Sequence, residues 1–117
     1  MTTQVYAAWE NYGSSTDGTI YFYDKSSIKR SGNKVRVWDY KNFSADNEKA
    51  KSLNVGSART LNEINCIDET YKMLVLHVFS KQNLEGVMKD SPVTNPKIEY
   101  VVPESTFEDL VKSVCKK

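Results

Sequence analysis

The sequence predicts an α+β fold, an antiparallel β-sheet of about five or six strands packed against one C-terminal α-helix. Three observations carry that expectation. Short runs of β-branched and aromatic residues alternate with turn residues, residues 71–80 form a strongly apolar run, and one capped amphipathic segment closes the chain. With 117 residues, one compact core and hence one domain over residues 1–117 is expected.

The elements follow in order. Residues 4–12 carry Val5, Ala7 and Trp9 at period two and then meet Gly13, Asp17 and Gly18, which reads as a strand ending in a turn. Residues 19–24 place Ile20 and Phe22 on one face and Thr19, Tyr21 and Tyr23 on the other, with apolar groups on both. Ser31, Gly32 and Asn33 separate a short segment, 27–30, from the run 34–40, a spacing that suits a tight hairpin. In that run Val35 and Val37 share one face, and Arg36, Trp38 and Tyr40 the other.

Residues 42–52 are polar and lysine-rich and read as an exposed loop with at most a short helical turn. A weakly alternating strand over 55–66 carries Ile64 and Cys66 inward. The run 71–80 is apolar on both faces, with Met73, Val75, His77 and Phe79 on one and Leu74, Leu76 and Val78 on the other, as a strand inside a sheet should be. Gly86 and the Pro92 to Pro96 stretch read as turn and loop, and 98–102 as one more short strand. Ser105 and Glu108 form an S-x-x-E capping box before Phe107, Leu110, Val111, Val114 and Cys115, which define one apolar helical stripe.

Composition narrows function. Sixteen basic and fifteen acidic residues leave a formal charge of +1, so no global field draws the chain to nucleic acid or an anionic membrane. No apolar run reaches the ~18 residues of a membrane span. The first ten residues lack the basic and apolar regions of a leader, so the chain reads either as cytosolic or as the mature part of an exported protein. The two cysteines could be free thiols, half a metal site or a disulfide, and no CxxC or neighbouring histidine favours metal. Cys115 lies on the apolar side of the terminal helix, where a crosslink to Cys66 would close a loop worth roughly 4 kcal/mol of chain entropy.

Catalysis is not expected. The one histidine, His77, falls in the most apolar strand, where a structural ring with a satisfied nitrogen is the simpler reading than a base or metal ligand. Nucleophile elbow, phosphate loop and HExxH run are absent, and no cofactor is called for. Lys25, Lys29, Arg30, Lys34 and Arg36 cluster around the first hairpin among Tyr21, Tyr23 and Trp38. Arginine and aromatic side chains supply much of the energy of interfaces, so Tyr21, Tyr23, Lys29, Arg30, Arg36 and Trp38 are the candidate partner-binding residues.

Across most of the chain the residues resemble the surface-adhesin E family of bacterial exported proteins. The resemblance runs through Trp9, Tyr21-Phe22-Tyr23-Asp24, Val35-Arg36-Val37-Trp38, Ser57, Glu63 and Cys66, and closes with Gly86, Pro103, Ser105 and Cys115. Ile98 stands where a tryptophan is expected and Glu104 where a glycine is common. The resemblance implies one surface-adhesin E-like domain, a disulfide between Cys66 and Cys115, and location in the periplasm, on the outer-membrane surface as a lipid-anchored protein, or outside the cell. It also implies a non-catalytic binding role, with a protein or glycan macromolecule at the cell surface as partner and host matrix proteins as the concrete case. The alternatives are a periplasmic assembly factor with a protein partner, or a haem or small-ligand carrier using His77. Exposed sheet edges add the expectation of a homodimer.

Overall fold

The computed structural model describes residues 7–116, so positions 4–6 of the expected first strand, Val5 among them, lie outside the described residues. Eight strands form one sheet: β1 (Trp9–Ser14), β2 (Ile20–Asp24), β3 (Lys29–Ser31), β4 (Lys34–Asn42), β5 (Ser57–Asn65), β6 (Thr70–Phe79), β7 (Met88–Ser91) and β8 (Glu99–Tyr100). Every pair is antiparallel, in the order β1-β2-β4-β5-β6-β7, with β3 also alongside β4 and β8 also alongside β6. The sheet therefore has six lines of strand, two of them interrupted.

Each interruption has a local cause. Asp24 Oδ1 accepts from the backbone N–H of Ser26 at 3.0 Å and from its hydroxyl at 2.6 Å, which turns the chain through a 3-10 turn at Lys25–Ser27 between β2 and β3. Between β7 and β8 stand Pro92 and Pro96, which lack the N–H a sheet ladder needs. The chain leaves the sheet there and rejoins it at Glu99. Strand β7, absent from the sequence expectation, is short and exposed, so no apolar alternation announced it.

The hairpin of β3 and β4 turns on Gly32 and Asn33, with Gly32 at φ 61°, a conformation glycine adopts without a Cβ clash. A bulge on β6, opposite Leu61 and Asn62 of β5, leaves Leu74 without an opposite residue. The extra residue moves Met73 onto the face of Leu76 and Val78, whereas plain alternation had grouped it with Val75, His77 and Phe79. The polar segment before β5 contains one short helix, α1 (Glu48–Ser52), capped by Asn47.

The C-terminal helix, α2 (Thr106–Val114), starts as the capping box predicts. Ser105 Oγ accepts the Glu108 N–H at 3.2 Å, while the Glu108 carboxylate accepts from the N–H of Glu104, one residue further out than the motif's usual partner. Leu110 and Val114 are fully buried against Val35, Val37, Ile64 and Tyr23, each worth about 1.5–3 kcal/mol of apolar burial. Cys115, just past the helix, is joined by a disulfide to Cys66, just past β5, with Cα atoms 5.7 Å apart. One face of the sheet thus carries α2 and the core, and no described element lies across the centre of the other.

Candidate functional site

On the open face, strand register stacks side chains into rows that run across the strands. The first row is Lys29, Arg36, Glu63 and Lys72, contributed by β3, β4, β5 and β6 in turn. Arg36 Nε donates to Glu63 at 2.9 Å, and the ammonium groups of Lys72 and Lys34 stand 3.6 and 3.8 Å from the same carboxylate. The Arg36 hydrogen bond, helped by the neighbouring cations, holds the Glu63 carboxyl below its usual range. Glu63 is nearly buried while the side chains of Arg36 and Lys34 are more than half exposed, so one carboxylate anchors three cations that face solvent.

The second row is Trp38, Leu61 and Val75, and the third is Phe22, Tyr40, Arg59, His77 and Asp90. Phe22 stacks on Tyr40 at 4.6 Å, and Trp9 meets the same ring edge-on at 4.7 Å. The Arg59 guanidinium lies 5.7 Å from the Trp38 ring centre and 5.2 Å from that of Phe79, within cation–π reach of both. Arg59 Nε donates to His77 Nδ1 at 2.9 Å, and the His77 ring stacks on Trp38 at 5.8 Å. His77 is therefore held by one satisfied nitrogen, with Nε2 3.9 Å from Asp90. Lys29, Lys34, Arg36, Arg59 and Lys72 on this face outnumber by one Glu63, Asp90 and the rim residues Asp24 and Asp68. The face combines net positive charge with preset aromatic rings.

The sequence pattern of Surface-adhesin protein E matches residues 9–116, nearly the whole chain. The chain belongs to that family. Among solved structures it is similar to protein E of Haemophilus influenzae in crystal form II, with TM-score 0.69, 14% identity, and coverage of 97% of this chain and 91% of that one. It is also similar to protein E from non-typeable Haemophilus influenzae, with TM-score 0.63, 14% identity, and coverage of 97% and 79%. At that identity the likeness establishes the fold. No curated protein matches the chain in sequence. Family membership makes this a surface-adhesin-type chain of the kind found exported or at the cell surface, and the disulfide implied by the resemblance is present.

The adhesin sheet divides the residues singled out in the sequence. Lys29, Arg36 and Trp38 share the open face. Tyr21 and Tyr23 lie on the helix face, because they pair with Lys41 and Asp39 of β4. Tyr23 is 8% exposed in the core, with its hydroxyl donating to Glu10 at 3.0 Å. Arg30 sits opposite Val35 on the exposed β3 edge, also on the helix side. Period-two reading assigns residues to faces within one strand, but only register says which faces coincide. Arg59 and Lys72 were missed, since each is a lone cation in its strand and joins the others only across the sheet.

Proposed function

We propose that this surface-adhesin protein E family member is a non-catalytic binding protein that attaches to an acidic macromolecule, a protein or a sulfated glycan, outside the cell. The open sheet face is its attachment surface. The observation that carries this reading is the coincidence, on a face that no helix covers among the described residues, of five cations with Trp38 and His77, three of the cations held by Glu63 and a fourth, Arg59, by His77. Side chains already held by neighbours lose little freedom on binding, and arginine and aromatic groups dominate interface energy. Positive charge on the face adds steering toward acidic partners and makes binding weaken with salt.

A binding assay on immobilised matrix proteins and heparin, with Lys29→Glu and Arg36→Glu singly and together, tests the proposal. Each change should weaken binding by about tenfold or more, the loss of one charge-assisted contact. Lys29 is exposed at the hairpin edge, so its variant keeps the fold even if Arg36→Glu disturbs Glu63. Unchanged affinity in folded Lys29→Glu and Arg36→Glu proteins would remove the open face from the interaction.

A further inference from the structure

The helix face carries a cleft of about 630 Å³ that the open-face reading does not use. Its floor is built from β4 and β5. Asp39, 3% exposed, shares the inward register of Val35 and Val37, and three neighbours donate hydrogen bonds to it. They are the Tyr12 hydroxyl at 3.0 Å, the Asn62 side-chain N–H at 3.1 Å, and the Thr60 hydroxyl. Asn62 donates also to Thr60 Oγ1 at 3.2 Å.

That network consumes the donors of the floor and leaves one acceptor over. Asn62 is only 4% exposed, yet its Oδ1 accepts no hydrogen bond among the described residues. Because no described buried side-chain oxygen or nitrogen lacks a partner, this oxygen must reach solvent, and Asn62 lines the cleft. An acceptor so placed can take a hydrogen bond from a ligand hydroxyl in place of water, and a ligand that covers it without donating pays for leaving it dry.

Rings stand on both banks. Tyr12 and Tyr21 lie 5.7 Å apart on the β1 and β2 side, and Tyr71 and Phe107 lie 4.4 Å apart on the β6 and α2 side. From β2 to β6 is three strand spacings, about 14 Å across the floor. The ionic groups lining the cleft cancel, with Asp39 and Glu99 against Lys41 and Lys97. The lining therefore offers no surplus of formal charge to select an ionic ligand.

From these features we infer that the cleft is a second binding site, for a neutral saccharide of one or two pyranose rings. A pyranose presents C–H faces to aromatic rings and hydroxyls that both donate and accept, which suits ring banks, the free Asn62 acceptor and the Lys41 ammonium together. The cavity volume falls within the range of about 300–1,000 Å³ common to small-ligand sites. Asp39 is a positioning residue here, since it fixes the hydroxyl and amide groups around it and is itself shielded.

Amide-shift titration of the labelled full chain with maltose, lactose and N,N′-diacetylchitobiose tests this, each taken to about 20 mM so that even a millimolar Kd is seen. Spermidine and sulfate serve as charged controls. At least one disaccharide should give saturable shifts at Thr60, Asn62 and residues 93–97, and Asn62→Leu and Tyr21→Ala should each weaken it by about tenfold. Tyr21 is half-exposed, so its variant stands if Asn62→Leu does not fold. No saturable response to any sugar, shifts confined to the open face, tighter response to spermidine or sulfate than to every sugar, or unaltered binding in folded variants would each overturn the inference.

Discussion

Replacing Cys66 and Cys115 together by alanine removes the link that ties α2 to the end of β5. The bridge spans 49 positions of sequence, and on the chain-entropy model a loop of that length stabilises the fold by about 4 kcal/mol. A chain of this size has a total stability of about 6–18 kcal/mol, so the loss is severe without being certain to unfold it. At roughly 4 °C per kcal/mol the melting temperature should fall by about 15 °C. Leu110 and Val114 still bury themselves against Val37 and Ile64, so the helix stays docked but opens more often. Its amides should exchange up to about a thousandfold faster than in the parent, the kinetic image of 4 kcal/mol. Urea unfolding of parent and double variant, with amide exchange on both, measures the two effects. A midpoint shift equivalent to less than about 1 kcal/mol at unchanged m-value would refute the loop-entropy reasoning.

Other outcomes follow from single residues. Glu63 has a lowered carboxyl pKa, so the stability it contributes is present above its ordinary value of 4.5 and is lost as pH falls through its folded value. Glu63→Gln should flatten the acid limb of the stability-versus-pH curve, as read by urea midpoints. Asp39 has the opposite sign. Burial raises its pKa above 3.8, so its contribution is greatest below that value and declines as pH rises through the folded value. Asp39→Asn should abolish that decline while leaving the acid limb to Glu63. Glu104 occupies the left-handed region at φ 62°, so Glu104→Gly should stabilise the chain by about 0.5–1 kcal/mol, checked by thermal melting.

The parts of the fold legible in the sequence are those set by local chemistry. The Ser105–Glu108 cap and the stripe from Phe107 to Val114 specify α2, and the alternation of Val35 and Val37 with Arg36 and Trp38 specifies β4. Family resemblance added the pairing of Cys66 with Cys115. Even the departure at Glu104 has a physical counterpart, because the position where glycine is common is the one with positive φ. What escaped depends on contacts far apart in sequence. The bulge at Leu74, the short β7, and the row that unites Lys29, Arg36, Glu63 and Lys72 arise only once strands are aligned. Asp39 did leave a local signal, a carboxylate in the inward register of two valines. Such a residue needs donors around it, and Tyr12, Thr60 and Asn62 supply them from two other strands.

The most direct test of the open face as the attachment surface is an amide-shift map of the chain on addition of a heparin oligosaccharide and, separately, of an acidic peptide. Attachment there predicts perturbation centred on Arg36, Trp38, Arg59, Lys72 and His77 with at least one probe, weakening as salt is raised. Perturbation centred on α2 and the opposite side of the sheet, or no perturbation by either probe at low salt, would contradict it.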